Sequence, residues 1–181
     1  MAEETWYSDS ANVLSNLAAS LIPVEKMITG AAYLMGLAFA IKAVMTLKTH
    51  GEQRSNMSGT GNMKEAGVYI VVAGMLLYYP TAFEVIMNST FGYSDVLAYT
   101  STPFITDMFG SDSTVGSSLT IIVQVVGLIA FIRGWLLIAR GSAQGQAGGT
   151  LGKGLMHVFG GVLAMNIIGT LEVFQNTLFG T

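Results

Sequence analysis

Four apolar segments, each long enough for a transmembrane helix, dominate the sequence. They cover residues 27–47, 66–87, 119–139 and 154–174. A hydrocarbon core of roughly 30 Å requires about 20 helical residues, which each segment supplies. Soluble domains carry charges on about a quarter of their residues, whereas only 10% of this chain is charged and 51% is hydrophobic. The sequence therefore predicts an all-α integral membrane protein with four transmembrane helices.

The N-terminal region before the first span has a different character. Residues 1–10 include acidic but no basic side chains, so they lack the positive region of a cleavable secretory signal. The first span is therefore expected to act as the targeting signal. Apolar side chains at helical spacing then predict a short amphipathic helix on the membrane surface. These side chains are Val13, Leu14, Leu17 and Leu21. Pro23 is expected to end this helix.

Basic residues mark two of the connections between spans. They are Lys48, Arg54 and Lys64 in or beside the first connection, and Arg140 and Lys153 flanking the second. By contrast, residues 88–118 contain no Lys or Arg. Because short loops rich in Lys and Arg stay in the cytoplasm, we expect both basic loops inside the cell. The two termini and the connector between the second and third spans are then expected outside.

The two halves of the chain contain matching motifs. The first half has GLAFAIK at residues 36–42 and EVIMNSTFG at 84–92. The second half has GLIAFIR at 127–133 and EVFQNTLFG at 172–180, again on either side of a loop that contains glycine. Chance similarity between two membrane hairpins is the alternative explanation. We interpret the pattern as an internal repeat of two tandem helical hairpins in parallel orientation.

This interpretation divides the chain into four regions. They are a polar tail with the surface amphipathic helix, a first membrane hairpin, an extracytoplasmic connector and a second membrane hairpin. Their bounds are residues 1–26, 27–92, 93–118 and 119–181.

Small residues recur at helical spacing within the spans. In lipid, helices gain packing energy where small side chains let their backbones approach closely. We expect these residues to form contacts between the hairpins and between copies of the chain. The candidate packing residues are Gly36, Ala40, Gly74, Gly127, Gly134, Gly154 and Gly161.

Charged residues in or beside the spans also need an explanation, because a charge at the bilayer centre costs at least about 2.5–3.5 kcal/mol. Lys42 and Arg133 precede the basic loops and are expected to reach the interface as anchors. Glu84 and Glu172 lie near the outer face. We expect one of them to pair with Lys26, and the other to face water or a neighbouring subunit.

The stretch GGTLGKG at residues 148–154 partly matches a phosphate-binding P-loop. A P-loop requires Ser or Thr after Gly-Lys, because that hydroxyl ligates magnesium. Here Gly154 takes that place, and Ala147 stands where the first glycine should be. We therefore expect a turn that carries Lys153, without a nucleotide site.

Other signs of chemistry are sparse. The chain has no Cys, and its two histidines, His50 and His157, have no acidic companion at ligand spacing. No Ser occupies a nucleophile elbow. We expect no enzyme activity, no metal site and no cofactor, and leave a bound phospholipid open.

The stretch RGWLLIARGSAQGQAGGTLGKGLMHVFGGVLAMNI at residues 133–167 resembles the corresponding half of the IcmC/DotE proteins of Dot/Icm type IVB secretion systems. It is also similar to the TraQ proteins of IncI-type conjugation systems, and YLMGLAFAIKAV at residues 33–44 supports the match. The resemblance implies a non-enzymatic subunit in the bacterial inner membrane. It would belong to a machine that moves protein effectors or DNA–relaxase complexes between cells.

A hairpin with a basic turn also looks like the major pilins of conjugation systems. This likeness implies a tandem pilin whose basic loops line the lumen of an extracellular filament after assembly. There they would face anionic phospholipid, or the translocated DNA or protein in transit. The implied partners are copies of the chain itself and other secretion or conjugation subunits.

Two alternatives stay open. One is a small channel or transporter built of parallel repeats, and the other is a scaffold that remains in the inner membrane. Pro80 should bend the second span. Because Pro80 aligns with Ile168, we expect no matching break in the fourth span, which disfavours the channel.

Overall fold

A computed structural model of the protein describes residues 2–55, 63–92, 113–143 and 149–180. Within these ranges it contains six α-helices and no β-strand, which confirms the all-α class. The helices are α1 (Ala2–Ser55), α2 (Met63–Leu77), α3 (Tyr79–Phe91), α4 (Ser113–Ser142), α5 (Gly149–Met165) and α6 (Ile167–Phe179). Most of the predicted connector lies outside the described residues. We call α1–α3 the first hairpin and α4–α6 the second hairpin.

Helix α1 runs without interruption for 54 residues, which is about 81 Å at 1.5 Å per residue. The prediction of a separate short amphipathic helix is wrong, because α1 continues through Pro23 into the first span. Proline removes only one helical hydrogen bond, and membrane helices tolerate it where other groups satisfy the freed carbonyl.

The helices differ in whether each is long enough to cross a membrane on its own. The Asp9–Gln53 part of α1 and the Val115–Ser142 part of α4 are each long and apolar enough to cross on their own. The other two predicted spans are bent pairs: α2 meets α3 at 92°, and α5 meets α6 at 91°. The described residues therefore provide two candidate spans, or four if each bent pair is one span. This composition indicates membrane association.

Each bent pair breaks at a single residue. In the first hairpin the break is at Tyr78, and Pro80 lies in the first turn of α3, where a proline is tolerated. In the second hairpin the break is at Asn166, without a proline. The expectation that the fourth span lacks a matching break is therefore wrong.

Hydrogen bonds from side chains explain the second break. The Asn166 side-chain oxygen accepts from the Gly169 amide at 3.3 Å and so caps α6. The Thr170 hydroxyl lies 2.9 Å from the Leu163 carbonyl oxygen and 2.8 Å from that of Asn166. The hydroxyl thus reaches a carbonyl that the interrupted helix would otherwise leave unsatisfied.

Helices α3 and α6 end in the same way. Gly92 has φ 78° and Gly180 has φ 66°, both in the left-handed region that glycine adopts without strain. Their amides donate to the carbonyl oxygens of Asn88 at 3.0 Å and Asn176 at 3.1 Å. The Phe-Gly ending that recurs in the sequence is therefore a helix C-cap in both hairpins.

Helix α4 lies at the centre of the packing. Its closest partner is α5, while α1 packs closely on α2, and both α1 and α2 also contact α4. Phe131 of α4 contacts Tyr79 and Phe83 of α3, with ring centroids 5.9 and 6.0 Å apart, and Trp135 at 6.1 Å. Such aromatic pairs contribute about 0.5–1.5 kcal/mol each beyond the area they bury. This cluster joins the two hairpins.

Candidate functional site: a cationic cleft between the hairpins

A surface cleft of about 220 Å³ lies where α1, α2 and α4 meet. The residues that line it come from both hairpins: Phe39, Lys42, Tyr69, Ala139, Arg140 and Ala143. The cleft is therefore a product of the contact between the hairpins.

Helical spacing brings these side chains together. Phe39 and Lys42 are three residues apart on α1 and so share a helix face, whereas Ala139 lies near the end of α4 and Ala143 directly follows its last residue. The two alanines leave the space that the cleft occupies. The lining thus combines an apolar floor with two cationic groups.

Lys42 is held against an aromatic wall. Its Nζ lies 4.5 Å from the centroid of the Tyr69 ring, in a cation–π arrangement. The buried Tyr69 ring stacks on Phe39 at 5.9 Å, and its hydroxyl donates to Glu65 Oε1 at 2.8 Å. A cation–π contact contributes about 0.5–1 kcal/mol at an exposed site and more when desolvated. Lys42 is therefore positioned by packing, in addition to any anchoring at the interface.

Among the described residues, no ion pair neutralises the positive charge of the cleft. In the described parts of the chain, the only ion pair joins Lys48 and Glu52, at 3.8 Å along the exposed side of α1. Neither Lys42 nor Arg140 takes part in one. Arg140 also lies in the last turn of α4, where the helix dipole is negative. Two cations thus face a small cavity that an anionic group could enter.

The structure disperses the five residues of the predicted basic loops. Arg140 lines the cleft, Lys48 pairs with Glu52, and Lys64 is exposed in the first turn of α2. Lys153 is exposed on α5, so it belongs to a helix and the prediction that it lies in a turn is wrong. The side chain of Arg54 lies outside the described residues.

The predicted packing glycines of the second hairpin lie at a contact between α4 and α5. A Cβ added to Gly161 would lie 2.6 Å from the Phe131 amide nitrogen and 2.8 Å from the Gly127 carbonyl oxygen. One added to Gly134 would lie 2.8 Å from the Gly154 carbonyl oxygen. These four glycines therefore let two backbones touch within one hairpin, and they do not lie between hairpins as we expected.

The remaining small residues have mixed surroundings. A Cβ on Gly36 would lie 3.0 Å from the Leu77 amide nitrogen, so Gly36 also lies at a contact within its hairpin. Gly74 has no atom within 4 Å of such a Cβ, and Ala40 is half-buried. Gly74 therefore faces outward in the single chain.

The outer charges do not pair as expected. Lys26 and Glu84 are exposed and Glu172 is half-buried. Within the residues that the structure covers, Lys26 forms no ion pair with either carboxylate. His157 Nδ1 lies 2.8 Å from the Lys153 carbonyl oxygen, and the described residues hold no cluster of three metal-ligating side chains.

Sequence reasoning identified the two cations of the cleft but not its aromatic wall. Phe39 and Tyr69 are ordinary apolar positions of two different spans, and nothing in the sequence shows that their rings stack. The position of Tyr69 four residues after Glu65, near the start of a span, is the only local signal. Comparison with family models, curated proteins and solved structures gives no match for this chain.

Proposed function

We propose that the protein is a non-enzymatic, self-assembling subunit of a type IVB secretion or conjugation machine, built as a tandem pilin-like pair of hairpins. It would insert in the bacterial inner membrane and enter an extracellular filament on assembly. The resemblance of residues 133–167 to IcmC/DotE and TraQ proteins favours the machine. The similar build of the two hairpins favours repeated assembly.

The observation that carries the proposal is the agreement between the hairpins. Adding 88 to a residue number in α2 or α3 gives the number of the equivalent residue in α5 or α6, as for Glu84 and Glu172. The breaks at Tyr78 and Asn166 obey this relation, with bends of 92° and 91°. So do the capping glycines, Gly92 and Gly180.

The contact between the first two helices of each hairpin agrees as well. Adding 91 to a residue number in α1 gives the number of the equivalent residue in α4, as for Gly36 and Gly127. A Cβ on Gly36 would meet Leu77 and Leu76, and one on Gly127 would meet Met165 and Ala164, which are their equivalents. These agreements support an internal repeat in which one assembly unit occurs twice in the chain.

The cationic cleft supplies a chemical role beside the basic loops. A phosphate between Lys42 and Arg140 would receive charge-assisted hydrogen bonds from both. The apolar floor of the cleft suits an amphiphile better than a free ion. We therefore assign the cleft to the headgroup of an anionic phospholipid, with translocated nucleic acid as the competing source of phosphate.

One observation favours a second candidate, a small channel or transporter. Transporters with repeated halves often place substrate sites at broken helices in matching positions, and both hairpins here break at matching positions. The break residues, Tyr78 and Asn166, carry no charge, and the Gly169 amide and Leu163 carbonyl at the second break bond to side chains of the chain itself. The subunit remains the better supported function.

Fractionation of producing cells tests the proposal. Sheared extracellular material is examined by electron microscopy, and mass spectrometry identifies its main component. We expect filaments in which this chain is the major protein, and loss of transfer to recipients when the gene is deleted. Retention of the whole chain in the inner membrane, with normal transfer, would contradict the proposal and favour the channel.

A further inference from the structure

We propose that a second copy of the chain packs on α1, through the α5–α6 face of its neighbour, and so repeats between molecules the contact that α2–α3 makes with α4 inside one molecule. This inference rests on the proposed equivalence of the two hairpins. It adds the surfaces, the partner and the direction of assembly.

The contact within the molecule is the template. Four side chains of α4 are no more than 9% exposed, and three of them, Leu128, Ile132 and Trp135, belong to the core that the first hairpin shares with α4. They are Val125, Leu128, Ile132 and Trp135, which we call the α4 face. Phe131 lies among them and contacts Phe83 of α3 at 6.0 Å.

The equivalent side chains of α1 are uncovered. Subtracting 91 from the α4 face gives Leu34, Leu37, Ile41 and Val44, which we call the α1 face. These four side chains are between 52% and 71% exposed. Each residue of the α4 face thus corresponds to an exposed aliphatic residue on α1, whereas Phe131 corresponds to the half-buried Ala40.

The other half of the contact is uncovered too. Among the residues of α2 and α3 that pack on the shared core while staying partly buried are Val68, Met75, Ile86 and Phe91. Adding 88 gives Met156, Leu163, Phe174 and Phe179, which we call the α5–α6 face. These are between 39% and 74% exposed. The second hairpin therefore carries an exposed apolar face at the positions equivalent to these core-packing residues.

The α1 face is expected to pair with the α5–α6 face of another copy, and neither face is expected to pair with a copy of itself. Inside the molecule, the face made by α2 and α3 packs on the helix that begins the following hairpin. After α6, the next hairpin in the same order is that of another copy, which begins with α1. A contact between unlike faces is heterologous, so it continues from copy to copy and closes into a ring or extends into a filament.

Cysteine crosslinking tests the contact directly, because the chain has no Cys of its own. Phe83 and Phe131 are in contact, and their equivalents are Leu171 and Ala40. We expect the Leu171→Cys, Ala40→Cys double variant to give a ladder of crosslinked dimers, trimers and higher species in native membranes. Mixed single variants, Leu171→Cys with Ala40→Cys, should stop at dimers.

A matched control uses the neighbouring exposed residue of α6. Val85 is exposed and does not pack on the shared core, so its equivalent Val173 is not part of the α5–α6 face. The Val173→Cys, Ala40→Cys variant should therefore give no ladder. A ladder of equal yield from this control, or no species above the monomer from the Leu171 pair, would overturn the inference.

A second measurement covers loss of folding in the cysteine variants. A photoreactive side chain in place of Phe174 should crosslink to peptides of residues 34–44 in another copy, as mass spectrometry can establish. Crosslinks only to lipid would overturn the contact. A ladder in membranes without any sheared filament would support the contact and refute the pilin-like function, whereas filaments without the crosslink would do the reverse.

Discussion

The first and second hairpins have the same bends and the same C-caps, but they close by different contacts. In the second hairpin, Gly134 and Gly154 let α4 and α5 touch backbone to backbone. The proposed repeat aligns them with Ala43 and Ala66 of the first hairpin, both of which are buried. At these positions the first hairpin has methyl groups in place of the glycine contact, and the rings of Phe39 and Tyr69 stack between α1 and α2. One architecture thus accommodates two kinds of helix contact.

The largest expected effect comes from filling the glycine contact. Gly161→Leu places a side chain where even a Cβ would lie 2.6 Å from the Phe131 amide nitrogen. A backbone atom cannot relieve the clash by changing rotamer as a side chain can. We therefore expect the free energy of unfolding to fall by at least about 3 kcal/mol, at the upper end of overpacking costs. Membrane insertion should persist, since apolarity increases. Thermal unfolding in detergent measures the effect.

Gly74→Leu is the matched control for this variant. Nothing lies within 4 Å of a Cβ at Gly74, so its unfolding temperature should stay close to that of the parent. Equal destabilisation by both variants would show that the α4–α5 contact is not the tight one.

A smaller loss of stability is expected when one methyl group is added to a glycine, and the size of the loss should differ between the two hairpins. Gly134→Ala gives the second hairpin the residue that the first hairpin has at Ala43, but its Cβ would lie 2.7 Å from the Val158 amide nitrogen. We expect a loss of about 1–3 kcal/mol. At Gly36 the nearest atoms are 3.0 Å away, and the helix propensity gained by alanine, up to about 1 kcal/mol, offsets the strain. Gly36→Ala should therefore be near neutral, and a larger loss than in Gly134→Ala would contradict the comparison.

The breaks offer a third comparison. Asn166→Ala removes the cap of α6, which should cost about 0.5–2 kcal/mol. At Tyr78 no side chain caps α3, and Pro80 fixes the turn instead. Tyr78→Ala should therefore leave the bend intact. Spin labels on either side of each break would report its angle, and straightening only in Tyr78→Ala would invert this assignment.

The smallest effect on stability, but a specific one on binding, is expected at the cleft. Lys42→Gln and Arg140→Gln remove the two cations that face the cavity. Each should reduce the phosphatidylglycerol retained by the purified protein, as native mass spectrometry measures. Lys48→Gln, at a lysine already paired with Glu52, should not. Equal retention in all three variants would exclude the cleft as the lipid site, and competition by nucleic acid alone would assign it to cargo.

The sequence predicted the helical class, the apolar segments and the bend beside Pro80, because length, hydropathy and proline act locally. It did not predict the second break, since that break depends on the Thr170 hydroxyl reaching the Leu163 carbonyl. It divided α1 at Pro23, although one missing hydrogen bond does not end a membrane helix. It identified the charge of the cleft, but the stacking of Tyr69 on Phe39 joins two spans and leaves no pattern in either.

The proposed assembly depends most on equivalent hairpins that pack from head to tail. Cryo-electron microscopy of the assembled protein tests this directly. We predict that each copy is related to the next by a constant step, with the α1 face covered by the neighbour's α5–α6 face. A two-fold dimer with α1 against α1, or single copies whose α1 face meets only lipid, would contradict the account.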